Sequence, residues 1–85
     1  MSLKRKPVVL SVAGHDPTGG AGIQADIETI AAFGCHAATA ITCLTVQDSY
    51  NGMELLENAP DLLGAQMDAI GKDLSIACVK VGLLG

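Results

Sequence analysis

Apolar positions in this chain follow two alternating rhythms. Largely apolar runs at 8–13, 37–44 and 76–81 read as strands covered on both faces, because a half-exposed strand alternates polar with apolar residues. Between them, apolar residues recur at helical spacing. Ile23, Ile27 and Ile30 share one face of a helix over about 21–33, and Leu63, Met67 and Ile70 share one face of a helix over 60–73. Gly34 is placed to cap the first helix. Pro60 falls in the first turn of the second, where its missing N–H costs little, and Gly71, Lys72 and Asp73 close it. Residues 45–60 are irregular, with a turn at Asn51-Gly52 and a short strand over 53–56. The order β-α-β-(β)-α-β with continuous apolar strands predicts an α/β fold around a parallel sheet.

One junction carries most of the chemistry. The first strand runs into Gly14-His-Asp-Pro-Thr-Gly-Gly-Ala-Gly-Ile-Gln-Ala-Asp26 and so into the first helix. Glycines in a strand-to-helix turn reach backbone angles closed to other residues. They also bare amides at a helix N-terminus, where a polar or anionic ligand is favoured. The turn lacks the Gly-Lys-Ser/Thr of a phosphate-binding P-loop and the spacing of a dinucleotide fingerprint. Asp16-Pro17 suits turn geometry. Asp26 falls in the first turn of the predicted helix, where it either complements the dipole or faces a ligand. Gln47 follows a strand end, a position open to plain solvation or to a ligand that needs both a donor and an acceptor. His15 and His36 have no recognisable partner and read as solvated or locally bonded.

Composition narrows the class. The chain has 85 residues, 49% of them hydrophobic, with one Phe, one Tyr and no Trp. Its core must therefore come from aliphatic side chains and Met. A net charge of −4 argues against nucleic acid, which requires a clustered basic surface. Lys4-Arg5-Lys6 is the one basic cluster and reads as a solvated tail. No apolar run approaches the roughly 20 residues that span a bilayer, and the start does not read as a secretory signal. Cys35, Cys43 and Cys78 are odd in number and lack metal-ligand spacing, which predicts a reducing, cytoplasmic setting without disulfides. Cys43 and Cys78 lie within apolar runs and read as small buried hydrophobes. A sheet that stops just after its third main strand is expected to be the N-terminal part of a single larger domain, residues 7–85 following a basic tail at 1–6, and an isolated 85-residue piece is expected to be marginal in stability.

Gly14-His-Asp-Pro-Thr-Gly-Gly-Ala-Gly-Ile-Gln-Ala-Asp26, Ala40-Ile-Thr-Cys-Leu-Thr-Val-Gln47 and Val79-Lys-Val-Gly-Leu-Leu84 together resemble the hydroxymethylpyrimidine/phosphomethylpyrimidine kinases of thiamine biosynthesis. The resemblance covers nearly all of the chain after Pro7. It implies a ribokinase-like fold, a three-layer αβα sandwich with a central, mostly parallel sheet. It further implies a transferase that moves the γ-phosphoryl group of ATP, with Mg2+, onto a small pyrimidine, in a cytoplasmic homodimer. Within this family the glycine-rich turn belongs to the acceptor side. The resemblance implies that Gly14 and Ala21 line the pyrimidine pocket through their backbones. Asp26 would accept a hydrogen bond from substrate, Gln47 would pair with the aminopyrimidine edge, and Leu83, where the family often has Met, would pack on the ring. Thr45 stands where an apolar residue is common. The family's catalytic Cys and its ATP-binding and metal-linked groups would lie beyond residue 85, so no catalytic role falls to Cys35, Cys43 or Cys78, and this piece alone would be inactive. Two other readings stay open: a vitamin B6 kinase of the same superfamily, and a non-enzymatic α/β module that binds a small ligand or a partner chain at its sheet edge.

Overall fold

The computed structural model describes residues 6–46 and 54–82. Strand β1 (Val8–His15) leads into helix α1 (Gly22–Ala32) and strand β2 (His36–Val46). Strand β3 (Glu54–Glu57), helix α2 (Pro60–Asp73) and strand β4 (Ile76–Val81) follow. The four strands form one sheet in the order β3-β2-β1-β4. β1 is parallel to both β2 and β4, while β3 runs antiparallel to β2.

Each face of β1 is met by a different helix. Val8, Leu10 and Val12 form the core with Ala38 and Ala40 of β2, and Leu63, Met67 and Ile70 of α2 pack against them. On the opposite face, Ser11 hydrogen-bonds Asp26 of α1. The continuous apolar run of β1 is thus explained by two helix layers, as parallel strands require. The α2 backbone ends as expected, with Pro60 at the first helical position, Asp61 in the first turn and Lys72 in the last, both complementing the dipole. At the end of α1 the Gly34 N–H donates to Ala31 O and the Cys35 N–H to Ile30 O, the paired bonds of a Schellman cap, with Gly34 at φ +76°.

Three features depart from the sequence expectation. β1 does not stop at Ala13 but continues through Gly14 to His15, with a register shift against β2 between Ala13 and His15. A glycine inside a strand commonly marks such a bulge rather than the strand's end. β4 is not covered on both faces among the described residues: Val79 and Val81 are 50% and 56% exposed. Cys78, expected to be buried, is exposed for the same reason, since β4 lies at one edge of the sheet and among the described residues pairs with β1 alone, whereas Cys43 on β2 is fully buried. Finally, α1 buries Ile23 but leaves Ile27 41% exposed, so its apolar face is only partly covered.

Candidate functional site

The turn between β1 and α1 is built on Asp16. Its side chain is almost fully buried, and Oδ1 accepts from both the backbone N–H and the hydroxyl of Thr18 at 2.8 Å. Oδ2 accepts the N–H of Ala21, the residue that caps α1, at 3.1 Å. The Asp16 carbonyl receives the Gly19 N–H at 3.0 Å. These bonds, the Thr18 hydroxyl foremost, hold the Asp16 carboxyl below its ordinary value of 3.8. A polar or anionic ligand at this helix start was the general expectation. The Asp16 carboxylate takes the Ala21 N–H just ahead of the helix, and a second anion beside it would meet like charge.

The acid sensitivity of the turn follows. A carboxyl whose folded-state pKa is lowered contributes stability above its unfolded value and loses that contribution as pH falls through the folded one. Wild-type protein is therefore expected to lose stability on acidification below pH 3.8, whereas Asp16→Asn loses less over the same window. Denaturant midpoints at a series of pH values check this. Identical slopes for the two proteins would remove Asp16 as the acid-labile anchor.

The turn closes because Gly22 is a glycine. It sits at φ +69°, and a Cβ there would be driven into the backbone carbonyl of Gly14. An isolated antiparallel bridge joins His15 to Gly22 at the same place. Gly14, buried near the end of β1, and Ala21, exposed at the helix cap, are brought to the two sides of this turn.

Asp26 sits differently from the sequence expectation. α1 begins at Gly22 and has no acidic residue in its first turn, so Asp26 lies one turn further in and does not serve the dipole. Its carboxylate is held from the sheet instead. The Ser11 hydroxyl donates to Oδ2 at 2.6 Å, and the Lys80 ammonium sits 3.0 Å from each oxygen. Ser11 and Lys80 are register partners on β1 and β4. Beyond Lys80, the Gly82 N–H donates to Val12 O at 2.8 Å. A Cβ on Gly82 would stand 3.1 Å from Ala13 Cβ and 3.2 Å from Lys80 Nζ. The ends of β1 and β4, the Lys80 ammonium and the Asp26 carboxylate therefore converge. This is the carboxyl end of parallel strands, where open α/β sheets bind ligands.

Thr45 is buried and donates to the His15 carbonyl at 2.7 Å, so its hydroxyl braces β1 against β2. Gln47 and Leu83 lie outside the described residues. Ser11 and Lys80 were not singled out from the sequence, although each interrupts an apolar strand run with a polar group. That interruption was the available signal: an inward polar residue in a buried strand needs a partner. Among the described residues no three His, Cys, Asp or Glu side chains are grouped as a metal site, and no helix is long and apolar enough to cross a membrane.

Comparison with known proteins gives the family and the fold. The sequence model of a family described as phosphomethylpyrimidine kinase matches residues 16–85. A hydroxymethylpyrimidine/phosphomethylpyrimidine kinase of Mycobacterium tuberculosis is 42% identical over 78 residues, which is 92% of this chain and 28% of that protein. Among solved structures, the phosphomethylpyrimidine kinase of Clostridium difficile superposes with a TM-score of 0.87 at 33% identity, covering 92% of this chain and 34% of the other. A pyridoxal kinase of Bacillus subtilis superposes at 0.85 and 31% identity, covering 93% and 31%. The chain thus spans about a third or less of the relatives it matches, and its sheet and helix layers are those of the ribokinase-like kinases. With the match running from the glycine-rich turn through β4, the chain belongs to the phosphomethylpyrimidine kinase family.

Proposed function

We propose that this segment is the acceptor-binding part of a kinase that phosphorylates 4-amino-5-hydroxymethyl-2-methylpyrimidine and its monophosphate with ATP, in thiamine biosynthesis. The observation that carries the reading is the pairing of two carboxylates with different duties. Asp16 occupies the helix start, which disfavours phosphate there, while Asp26 is held at the carboxyl end of the sheet by Ser11 and Lys80. Such a site suits an uncharged ring that carries hydrogen-bond donors. In this reading Gly14 and Ala21 line the pocket with backbone, Asp26 accepts from the ring, Gln47 pairs with the aminopyrimidine edge and Leu83 packs on its face.

Phosphoryl transfer depends chiefly on positioning and on neutralising charge. In the first transfer the hydroxymethyl oxygen displaces ADP from the γ-phosphorus and its proton passes to solvent; in the second a phosphate oxygen of the monophosphate is the nucleophile, and this segment's share is to orient the acceptor. Such a transfer requires ATP and Mg2+. Those groups belong in this reading to other parts of a whole kinase, a homodimer of the cytoplasm.

Substitution of Gln47 in the whole kinase tests the reading. Gln47→Ala leaves the buried pyrimidine edge unpaired and is expected to cost about 1–3 kcal/mol of acceptor binding. Gln47→Glu is also expected to weaken binding, since the acid loses the donor. Both acceptors should suffer alike and ATP affinity should hold, as steady-state kinetics on each substrate will read. Unchanged acceptor affinity in both variants removes Gln47 from the pocket, and a preference for pyridoxal over the pyrimidine moves the chain to the vitamin B6 branch.

A further inference from the structure

The geometry points to Lys80, with Ser11, as a positioning residue that presents one oxygen of Asp26 to the acceptor. This rests on the assignment of Asp26 to acceptor binding. A carboxylate offers about four acceptor sites, two on each oxygen. Asp26 Oδ2 takes two donors, Ser11 Oγ at 2.6 Å and Lys80 Nζ at 3.0 Å. Among the described residues Oδ1 takes only Lys80, at 3.0 Å. The remaining acceptor site of the side chain therefore lies on Oδ1.

The holders come from two different strands. Ser11 is fully buried on β1, and Lys80 reaches across from the neighbouring β4 at the same register. Donors from two strands fix the carboxylate against rotation about its own axis, which neither could do alone. Gly82 keeps the required space open, because a Cβ there would crowd the Lys80 ammonium. The Lys80 side chain is 49% exposed and that of Asp26 15%, and a half-exposed ion pair contributes little to stability. Its value lies in orientation.

A chemical specificity follows. The group that meets Oδ1 must be an N–H or O–H donor, neutral or cationic. An anionic substituent is repelled by the carboxylate, so a phosphorylated acceptor binds with its phosphate turned away from Asp26, and one ring edge serves both acceptors.

The test is a double-mutant cycle on the whole kinase, with calorimetric binding of hydroxymethylpyrimidine as the readout and ATP binding as the control. Asp26→Asn is expected to weaken hydroxymethylpyrimidine about tenfold or more and Lys80→Met about fivefold, while Lys80→Arg, which keeps a charged donor on the carboxylate, stays within about threefold of wild type. In the Asp26→Asn background Lys80→Met should add nothing, because residues that act through one another are not additive. Circular dichroism establishes that each variant is folded, and Lys80→Gln is read in place of Lys80→Met if the latter is not. Weakened binding in Asp26→Asn with normal binding in Lys80→Met, or fully additive losses, overturns the positioning role and leaves the site reading intact. Normal binding in Asp26→Asn overturns the assignment of Asp26 itself, and the positioning role with it.

Discussion

Gly22→Ala is expected to be the most damaging small substitution in the chain, costing at least about 2 kcal/mol of stability. A non-glycine residue held at positive φ costs about 1–3 kcal/mol by itself, and Gly22 sits at +69°. The new methyl would also be forced against the Gly14 carbonyl, which is backbone and can yield only if the turn opens. Gly20→Ala provides the internal control. A Cβ there meets Asp16 Oδ2 and Thr18 Oγ1 at 3.6 Å, an ordinary contact, and its φ is not positive. Thermal unfolding of both variants in the whole kinase should show a clear fall for Gly22→Ala, about 2–4 °C per kcal/mol in a larger domain, and little change for Gly20→Ala. Acceptor affinity should fall with the first and hold with the second. Equal effects at both glycines would mean that the turn tolerates opening and does not shape the site.

Asp26→Ala is the second large effect, and it should appear in stability and in binding together. The substitution leaves the Ser11 hydroxyl, which is fully buried, without its acceptor. An unsatisfied buried polar group costs about 1–3 kcal/mol, to which the loss of the Lys80 contact adds a smaller share. Acceptor affinity should drop by about tenfold or more, the value of one lost hydrogen bond to a charged group, with ATP affinity unchanged. Ser11→Ala introduced into the Asp26→Ala background should return part of the stability, because removing both partners of a buried pair is nearly neutral. It should return none of the binding. Denaturant titration and acceptor titration of the single and double variants separate the two. A double variant less stable than Asp26→Ala alone would show that Ser11 packs rather than bonds.

Most of the fold was legible because burial and periodicity agree along the chain. The 60–73 helix reads from its Leu63, Met67 and Ile70 face and its Pro60 start, and the structure has it over Pro60–Asp73. β1 was read two residues short, because Gly14 looks like the end of a strand, while the ladder's continuation depends on its partner Leu44. Cys78 was read as buried because an apolar run records what a strand is suited to cover and not what lies over it. At the site, Asp26 was read either as a complement to the dipole or as facing a ligand, and the structure removes the first of these. α1 begins at Gly22, so Asp26 lies past its first turn. The long-range partners Ser11 and Lys80 lie 15 and 54 residues from Asp26 in sequence. Local spacing carries no information about such contacts; only the oddity of a polar residue inside an apolar strand hints at them.

The strand order has a consequence for how the chain is made. β1 is synthesised well before β4, yet β4 is one of its two neighbours, with Val8 opposite Ile76. At about 5–20 residues per second on the ribosome, one edge of β1 waits for several seconds with its N–H and C=O groups unmatched. An apolar strand with an open edge is prone to pair with other chains. Co-translational escape from aggregation should therefore depend on early docking of α1 over β1 and β2, and slowed translation between residues 46 and 76 should lower soluble yield more than slowing anywhere else.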